Sequence, residues 1–131
     1  MIRRLRDAVL RRIARVVLQR RVPADLSAGD VCSVASGGDG YGVVEVLAVE
    51  SETVHVRVYK EKYGWRPERI ETAALSLGSI HDPDGFGIGH LPLSRPEFGG
   101  WEPVRINREK VADEELEGYR MWQESGGGVW Q

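Results

Sequence analysis

The sequence predicts an α+β fold: a mainly antiparallel, partly open small β-barrel of the SH3-like kind, with a C-terminal helix and an N-terminal amphipathic basic helix. Two observations indicate it. Valine-rich runs of strand length follow one another between glycine- and proline-containing connections, and both ends of the chain have helical periodicity. Its 131 residues fit one domain with an appendage. We therefore divide the chain into a basic helix, residues 1–22, and a barrel-like domain with its C-terminal helix, residues 23–131.

The N-terminal segment is predicted to form a helix with one apolar and one basic side. Its apolar positions recur at spacings of three and four and include Leu5, Val9, Ile13 and Val16. The other side carries arginines, among them Arg4, Arg11 and Arg15. Pro23 ends the helix, because proline cannot continue it. We expect this helix to bind another surface through its apolar side.

Three strands are predicted next, in "GDVCSV", "YGVVEVLAVE" and "TVHVRVYK". The second has apolar residues on both faces, which predicts a central position in the sheet. In the third, valines alternate with His55, Arg57 and Tyr59, a pattern typical of a strand with one buried and one solvent-facing side.

The later elements are shorter. Pro67 is placed to open a short helix through "ERIETAAL". Further strands are expected around Ser79–His81, Phe86–Leu93 and Pro103–Ile106, for five or six in all. The closing helix is expected to begin at Asp113, which serves as its cap, and to end at the glycines from Gly126.

The stretch "HDPDGFGIGH" places two histidines and two aspartates within ten residues. A metal site using His81, Asp84 and His90 is one interpretation, although their spacing fits no specific ligand pattern. The preferred interpretation is a tight turn joining two strands, because Asp-Pro-Asp-Gly has proline and glycine at positions favoured in turns. We therefore expect no metal and no cofactor.

Charge and cysteine content narrow the class of partner. Residues 1–22 hold eight arginines and one acid, +7, whereas residues 23–131 hold ten basic and nineteen acidic side chains, −9. An acidic domain argues against a nucleic-acid partner. The single cysteine, Cys32, allows no intrachain disulfide, which favours the cytoplasm. No nucleophile and base at a catalytic spacing are evident, so we expect no enzyme activity.

Two tryptophans in glycine-containing loops are the candidate contact residues. Trp65 stands between Gly64 and Arg66, and Trp101 follows two glycines. Tryptophan and arginine contribute strongly to interface energetics, so Trp65, Arg66 and Trp101 are predicted to contact a partner. The alternative is that each ring folds back onto the barrel.

The segments "GDVCSV", "GYGVVEVL", "GHLPLS", "EFGGWEPVRI" and "EELEGYRMW" together resemble small bacterial immunity-type proteins of polymorphic toxin systems, which have a strongly bent β-barrel. The resemblance is one of layout and spans residues 29–125. It implies a cytoplasmic protein that neutralises a toxin by binding it.

The sequence thus predicts a non-catalytic protein-binding module, whose partner is another protein, such as a toxin, or a second copy of the chain. The alternative is a peripheral adaptor whose N-terminal helix docks on an anionic membrane surface or a larger assembly. A small metal-dependent enzyme using the stretch from His81 to His90 is the third hypothesis.

Overall fold

The structure, a computed structural model, describes residues 22–38 and 40–129. Within these residues five strands form one antiparallel sheet: β1 (Asp30–Ala35), β2 (Tyr41–Val49), β3 (Thr53–Val58), β4 (Ile88–Ser94) and β5 (Val104–Arg108). Their order, β4-β3-β2-β1-β5, places β2 in the centre, as the sequence predicts. The α+β class and the antiparallel sheet are confirmed. The predicted N-terminal helix lies outside the described residues.

Two short helices follow the fourth and fifth strands. Helix α1 (Arg95–Gly100) lies between β4 and β5 and begins at Ser94, whose hydroxyl accepts a hydrogen bond from the backbone N–H of Glu97. Helix α2 (Glu117–Glu124) is the predicted C-terminal helix. No helix in the described part of the chain has the length and apolar content needed to cross a bilayer.

The start of the C-terminal helix differs from the prediction. Residues Asp113–Leu116 form a 3-10 turn ahead of α2, and Asp113 makes no capping hydrogen bond. Instead Glu115 accepts a hydrogen bond from the backbone N–H of Ala112 at 2.9 Å. The end is as expected, since Gly126, Gly127 and Gly128 all have positive φ.

The connection between β3 and β4 corrects two predictions. The helix expected after Pro67 is only a 3-10 turn at Thr72–Ala74, and Ser79–His81 forms a turn, not a strand. The aspartate-rich turn itself is confirmed, because Asp82 accepts hydrogen bonds from the Ser79 N–H and from Lys60 Nζ. The prediction that this turn joins two paired strands is wrong, because β4 pairs with β3, which is distant in sequence.

One face of the sheet carries the larger of the two hydrophobic clusters. The side chains that pack there come from four strands, α1 and the segment before β1: Val22, Leu26, Cys32, Val34, Val44, Val46, Val54, Val56, Leu93 and Phe98. Phe98 of α1 is completely buried on this face. This set is the main core, and it begins at Val22, where the described chain begins.

The opposite face is covered as well, contrary to the prediction of a solvent-facing side. The segment after β3 packs Tyr63, Ile70, Leu75 and Leu77 against one half of it, around Tyr59. The C-terminal segment covers the other half, so that His55 has no exposed surface. Alternation along β3 correctly separates the two faces, but it carries no information about elements that arrive from elsewhere in the sequence.

Register shifts interrupt three of the four strand pairings. They fall between Val31 and Cys32, between Val46 and Ala48, and between Val56 and Val58. Such irregularities increase local twist and bend a strand. They occur on neighbouring strands, so the bending is spread across the sheet.

Candidate binding surface and the histidine layer

Beneath the C-terminal helix lies a compact polar group that we call the histidine layer: Glu50, His55, His90, Tyr119 and Trp122. His55 of β3 is at its centre, with its Nδ1 atom 2.9 Å from Nε2 of His90 on β4. Its other nitrogen, Nε2, is hydrogen-bonded to Glu50 Oε1. Every polar atom of the central imidazole is therefore engaged.

Two aromatic rings of α2 close the layer from above. The rings of Tyr119 and Trp122 stand edge-on to His55, with centroids 4.6 and 4.4 Å away. Trp122 in turn donates from Nε1 to the backbone oxygen of Gly128, which draws the chain end around it. This arrangement leaves His55 no contact with solvent.

The hydrogen bonds determine the tautomers of both histidines. Because a carboxylate only accepts, His55 must carry its proton on Nε2 toward Glu50, which leaves Nδ1 as an acceptor. His90 must then donate from Nε2. Burial lowers the pKa of His55, and burial together with the neighbouring His55 lowers the pKa of His90 to about 4. Both rings are therefore neutral at pH 7.

A second buried group adjoins the layer on the same face. Glu45 of β2 is 2% exposed and is the register partner of Arg57 on β3, and Glu115 lies over both. The Arg57 Nε atom is 3.5 Å from Glu115 Oε2. Burial first, then hydrogen bonding and charge from Glu115, raise the pKa of Glu45 to about 8. Glu45 is therefore protonated at neutral pH and can share its proton with Glu115.

Gly118 allows α2 to approach the sheet closely. A Cβ atom at this position would lie 2.6 Å from the Cβ atom of His90, well inside contact distance. Any larger residue would push the helix away from β4 and open the layer. The sequence "EELEGYRMW" thus places its glycine where the helix crosses a histidine.

The layer can hold protons, and none of its members lines the three cavities described between residues 22–38 and 40–129. The stretch that suggested a metal site is divided among different partners: His90 contacts His55, whereas Asp82 and Asp84 approach Lys60 Nζ at 3.1 and 3.5 Å. His81 is exposed. In the described ranges no group of three or more histidine, cysteine or acidic residues could hold a metal ion.

The second candidate site is an open groove of about 460 Å³, which we call the Trp65 surface; it is lined by Tyr63, Trp65, Arg66, Pro67, Glu68, Arg69 and Ile70. The side chain of Trp65 is 70% exposed, as the sequence predicts for a contact residue. Its ring stands edge-on to Tyr63 at a centroid distance of 6.4 Å. Tyr63 exchanges two backbone hydrogen bonds with Tyr41, so the exposed ring stands on a braced loop.

Arg66 braces the same loop from inside. Its Nη1 atom donates to the carbonyl and the hydroxyl of Ser33 and to the carbonyl of Glu102, at 2.8 to 3.2 Å. Its guanidinium also lies 4.8 Å from the ring centroid of Tyr41. Arg66 therefore holds Trp65 in place and has little freedom to reach a partner with this nitrogen.

For Trp101 the structure agrees with the alternative prediction, in which the ring folds back onto the domain. It packs against the apolar core, and its Nε1 atom donates to Glu97 Oε1 at 3.3 Å. Trp101 thus packs against the core, whereas the ring of Trp65 is exposed. The predicted contact residues of the N-terminal helix, Arg4, Leu5, Val9, Arg11, Ile13, Arg15 and Val16, lie outside the described residues.

Cys32 is inert in this structure. Its side chain is completely buried, and burial raises the pKa of the thiol to about 12. A thiol in such surroundings neither ionises at neutral pH nor meets oxidants readily. The residue is packing for the apolar face.

Sequence reasoning missed two acids, Glu50 of the histidine layer and Glu45 of the buried group beside it. Glu50 lies at the end of β2, and Glu45 interrupts the valine run of "YGVVEVLAVE". An acid in the middle of a central strand was a signal that the opposite face is polar and covered, because a buried carboxyl needs partners. Nothing in the sequence indicated that His90 would meet His55.

No family model, curated protein or solved structure matches the chain.

Proposed function

We propose that the chain is a non-catalytic protein-binding module of the immunity type, which acts in the cytoplasm and neutralises a toxin by binding it through the Trp65 surface. The observation that carries the proposal is the 70% exposure of Trp65 on a loop held by Tyr41, Tyr63 and Arg66. Tryptophan is enriched among the residues that contribute most to protein–protein binding, and an exposed one on a held loop is accessible to a partner. A preorganised tryptophan loses little conformational entropy on binding.

The charge of the domain supports a basic partner. Residues 23–131 carry nine more acidic than basic side chains. An acidic surface speeds association with a basic protein and opposes binding to acidic ones. The Trp65 surface itself holds Glu68 beside Arg69, which suits a contact that is apolar at its centre and charged at its rim.

We also propose that the sheet curls into a partly open, SH3-like barrel. The strand order leaves β4 and β5 as the two edges of the sheet, and these are the strands that approach each other if the sheet curls. The register shifts on successive strands supply the bending that closure needs.

The test is affinity capture from the organism that encodes the chain, using the full-length protein and its Trp65→Ala variant side by side. We expect a basic protein to be retained by the first and lost by the second. Added in equal molar amount, the chain should then abolish the activity of that protein. Equal capture by both forms, or a bound protein that keeps its activity, would contradict the proposal.

A further inference from the structure

A separate cavity of about 220 Å³ lies where β1 and β2 meet at the glycine-rich connection between them. Its apolar walls are Val34, Val58 and Trp101, which all pack with the main core, so the cavity lies on that face of the sheet. It shares no lining residue with the Trp65 surface.

One positive charge stands at the mouth of this cavity. Of the residues that the structure describes, Lys62 is the only charged one that lines it. Its Nζ atom lies 3.4 Å from the point that a Cβ atom on Gly42 would occupy, so the ammonium rests over the glycine at the cavity rim. Lys62 forms no ion pair or hydrogen bond with residues 22–38 or 40–129.

The charged residues that precede Lys62 in sequence bond to other groups and leave its ammonium facing the cavity. Glu61, the adjacent acid, accepts hydrogen bonds from the backbone and hydroxyl of Ser76. Lys60, the nearest other lysine in sequence, is held by Asp82 and Asp84. An apolar cavity with a single cation at its mouth is complementary to a molecule with an apolar body and one negative end.

We propose that this cavity binds a small apolar carboxylate, with its hydrocarbon body against Val34, Val58 and Trp101 and its carboxylate on Lys62 Nζ. The volume limits the size of the ligand. Since a water molecule accounts for about 30 Å³ of liquid, the cavity holds roughly seven groups of that size. A six-carbon acid such as hexanoate fits this limit. This site is independent of the proposed protein-binding function.

The test is a titration of the full-length protein with hexanoate, followed by NMR of the valine methyl groups and the tryptophan indole N–H groups. Signals of Val34, Val58 and Trp101 should shift together and saturate. Lys62→Gln should raise the Kd by up to roughly fivefold, because an exposed ammonium–carboxylate contact contributes about 1 kcal/mol at most. Because Lys62 is exposed, the substitution leaves the fold intact.

Two controls make the result specific. Lys110→Gln removes the same charge beyond the other end of β1, where Glu109 bonds to Gly29, and should leave the Kd unchanged. 1-Hexanol has the same body without the charge and should bind more weakly than hexanoate. Three results would overturn the proposal: hexanol binds as tightly as hexanoate, Lys62→Gln leaves the Kd for hexanoate unchanged, or no NMR signal shifts at roughly 10 mM hexanoate.

Discussion

The histidine layer and the Trp65 surface both combine aromatic rings with polar or charged side chains. In the layer the central ring, His55, is buried, whereas at the Trp65 surface the tryptophan ring is exposed to solvent. In the layer, two aromatic rings close over His55, whose nitrogens are both hydrogen-bonded. At the Trp65 surface, hydrogen bonds and a cation–π contact lie behind the ring and leave it in solvent. Polar groups that satisfy one another stabilise a fold, whereas an apolar ring braced toward water indicates binding.

An unusual pKa can belong to a catalytic site or to a structural network of buried polar groups. The pKa of His90 is low and that of Glu45 is high, which are features shared with catalytic sites. Here both shifts arise mainly from burial beneath the C-terminal segment. Structural networks shift pKa values as active sites do, so these two shifts are not by themselves evidence of catalysis.

The largest effect is expected from removing the centre of the layer. His55→Ala leaves Glu50 and His90 without their shared partner and creates a cavity beneath Tyr119 and Trp122. The free energy of unfolding should fall by about 2–4 kcal/mol. Urea denaturation followed by circular dichroism measures the change. His81→Ala, at an exposed histidine, is the matched control and should stay within about 0.5 kcal/mol of the original protein.

A smaller effect is expected from forcing the helix away from the layer. Gly118→Ala places a methyl group 2.6 Å from the Cβ atom of His90, so that α2 must shift. Overpacking of this kind costs about 1–3 kcal/mol, which thermal and urea denaturation would detect. Gly64→Ala meets no atom within 4 Å and serves as the control. Equal stability of the two variants would mean that α2 does not pack on His90.

The smallest effect concerns pH. Glu45 has a pKa of about 8 in the folded chain against 4.5 as its ordinary value, so the folded state holds a proton that the unfolded state has released. Stability from this group is complete below pH 4.5 and is lost as the pH rises through 8. His90 works in the opposite direction: its pKa falls from 6.5 to about 4, so stability is lost as the pH falls from 6.5 toward 4.

Glu45→Gln isolates the first of these contributions, because an amide stays neutral. Between pH 6.5 and 8.5 we expect the original protein to lose stability by at most about 1.4 kcal/mol per pH unit and the variant to lose less. Denaturant unfolding at a series of pH values measures both. Glu114→Gln is the control: it changes an exposed acid on the 3-10 turn that carries Glu115, and it should retain the original slope of stability against pH. A variant whose slope equals that of the original protein would show that Glu45 is ionised in the fold.

Much of the sheet could be predicted from the sequence, because valine-rich strands between turn residues have local causes. The first three strands, the central position of β2 and the C-terminal helix follow from such patterns. The strand assigned at Ser79–His81 could not be excluded locally, since its side chains suit a strand. Its true conformation depends on Asp82 and Lys60, which meet across 22 positions.

The candidate sites divide in the same way. The exposure of Trp65 could be predicted because a tryptophan beside a glycine in a polar loop has few apolar neighbours. The histidine layer could not, since it joins residues from β3, β4 and α2 that are far apart in sequence. Trp101 has a similar local context to Trp65, yet α1 brings it against Phe98 and the core.

The central claim is that binding depends on the Trp65 surface and that the histidine layer only stabilises the fold. Isothermal titration of the captured partner against three variants tests it directly: Trp65→Ala, His55→Gln and Met121→Ala, the last at a 63% exposed residue of α2. We predict that Trp65→Ala raises the Kd by about 30-fold or more, which corresponds to 2 kcal/mol, while the other two folded variants stay within about threefold. An unchanged Kd for Trp65→Ala together with a large loss for His55→Gln would contradict the account.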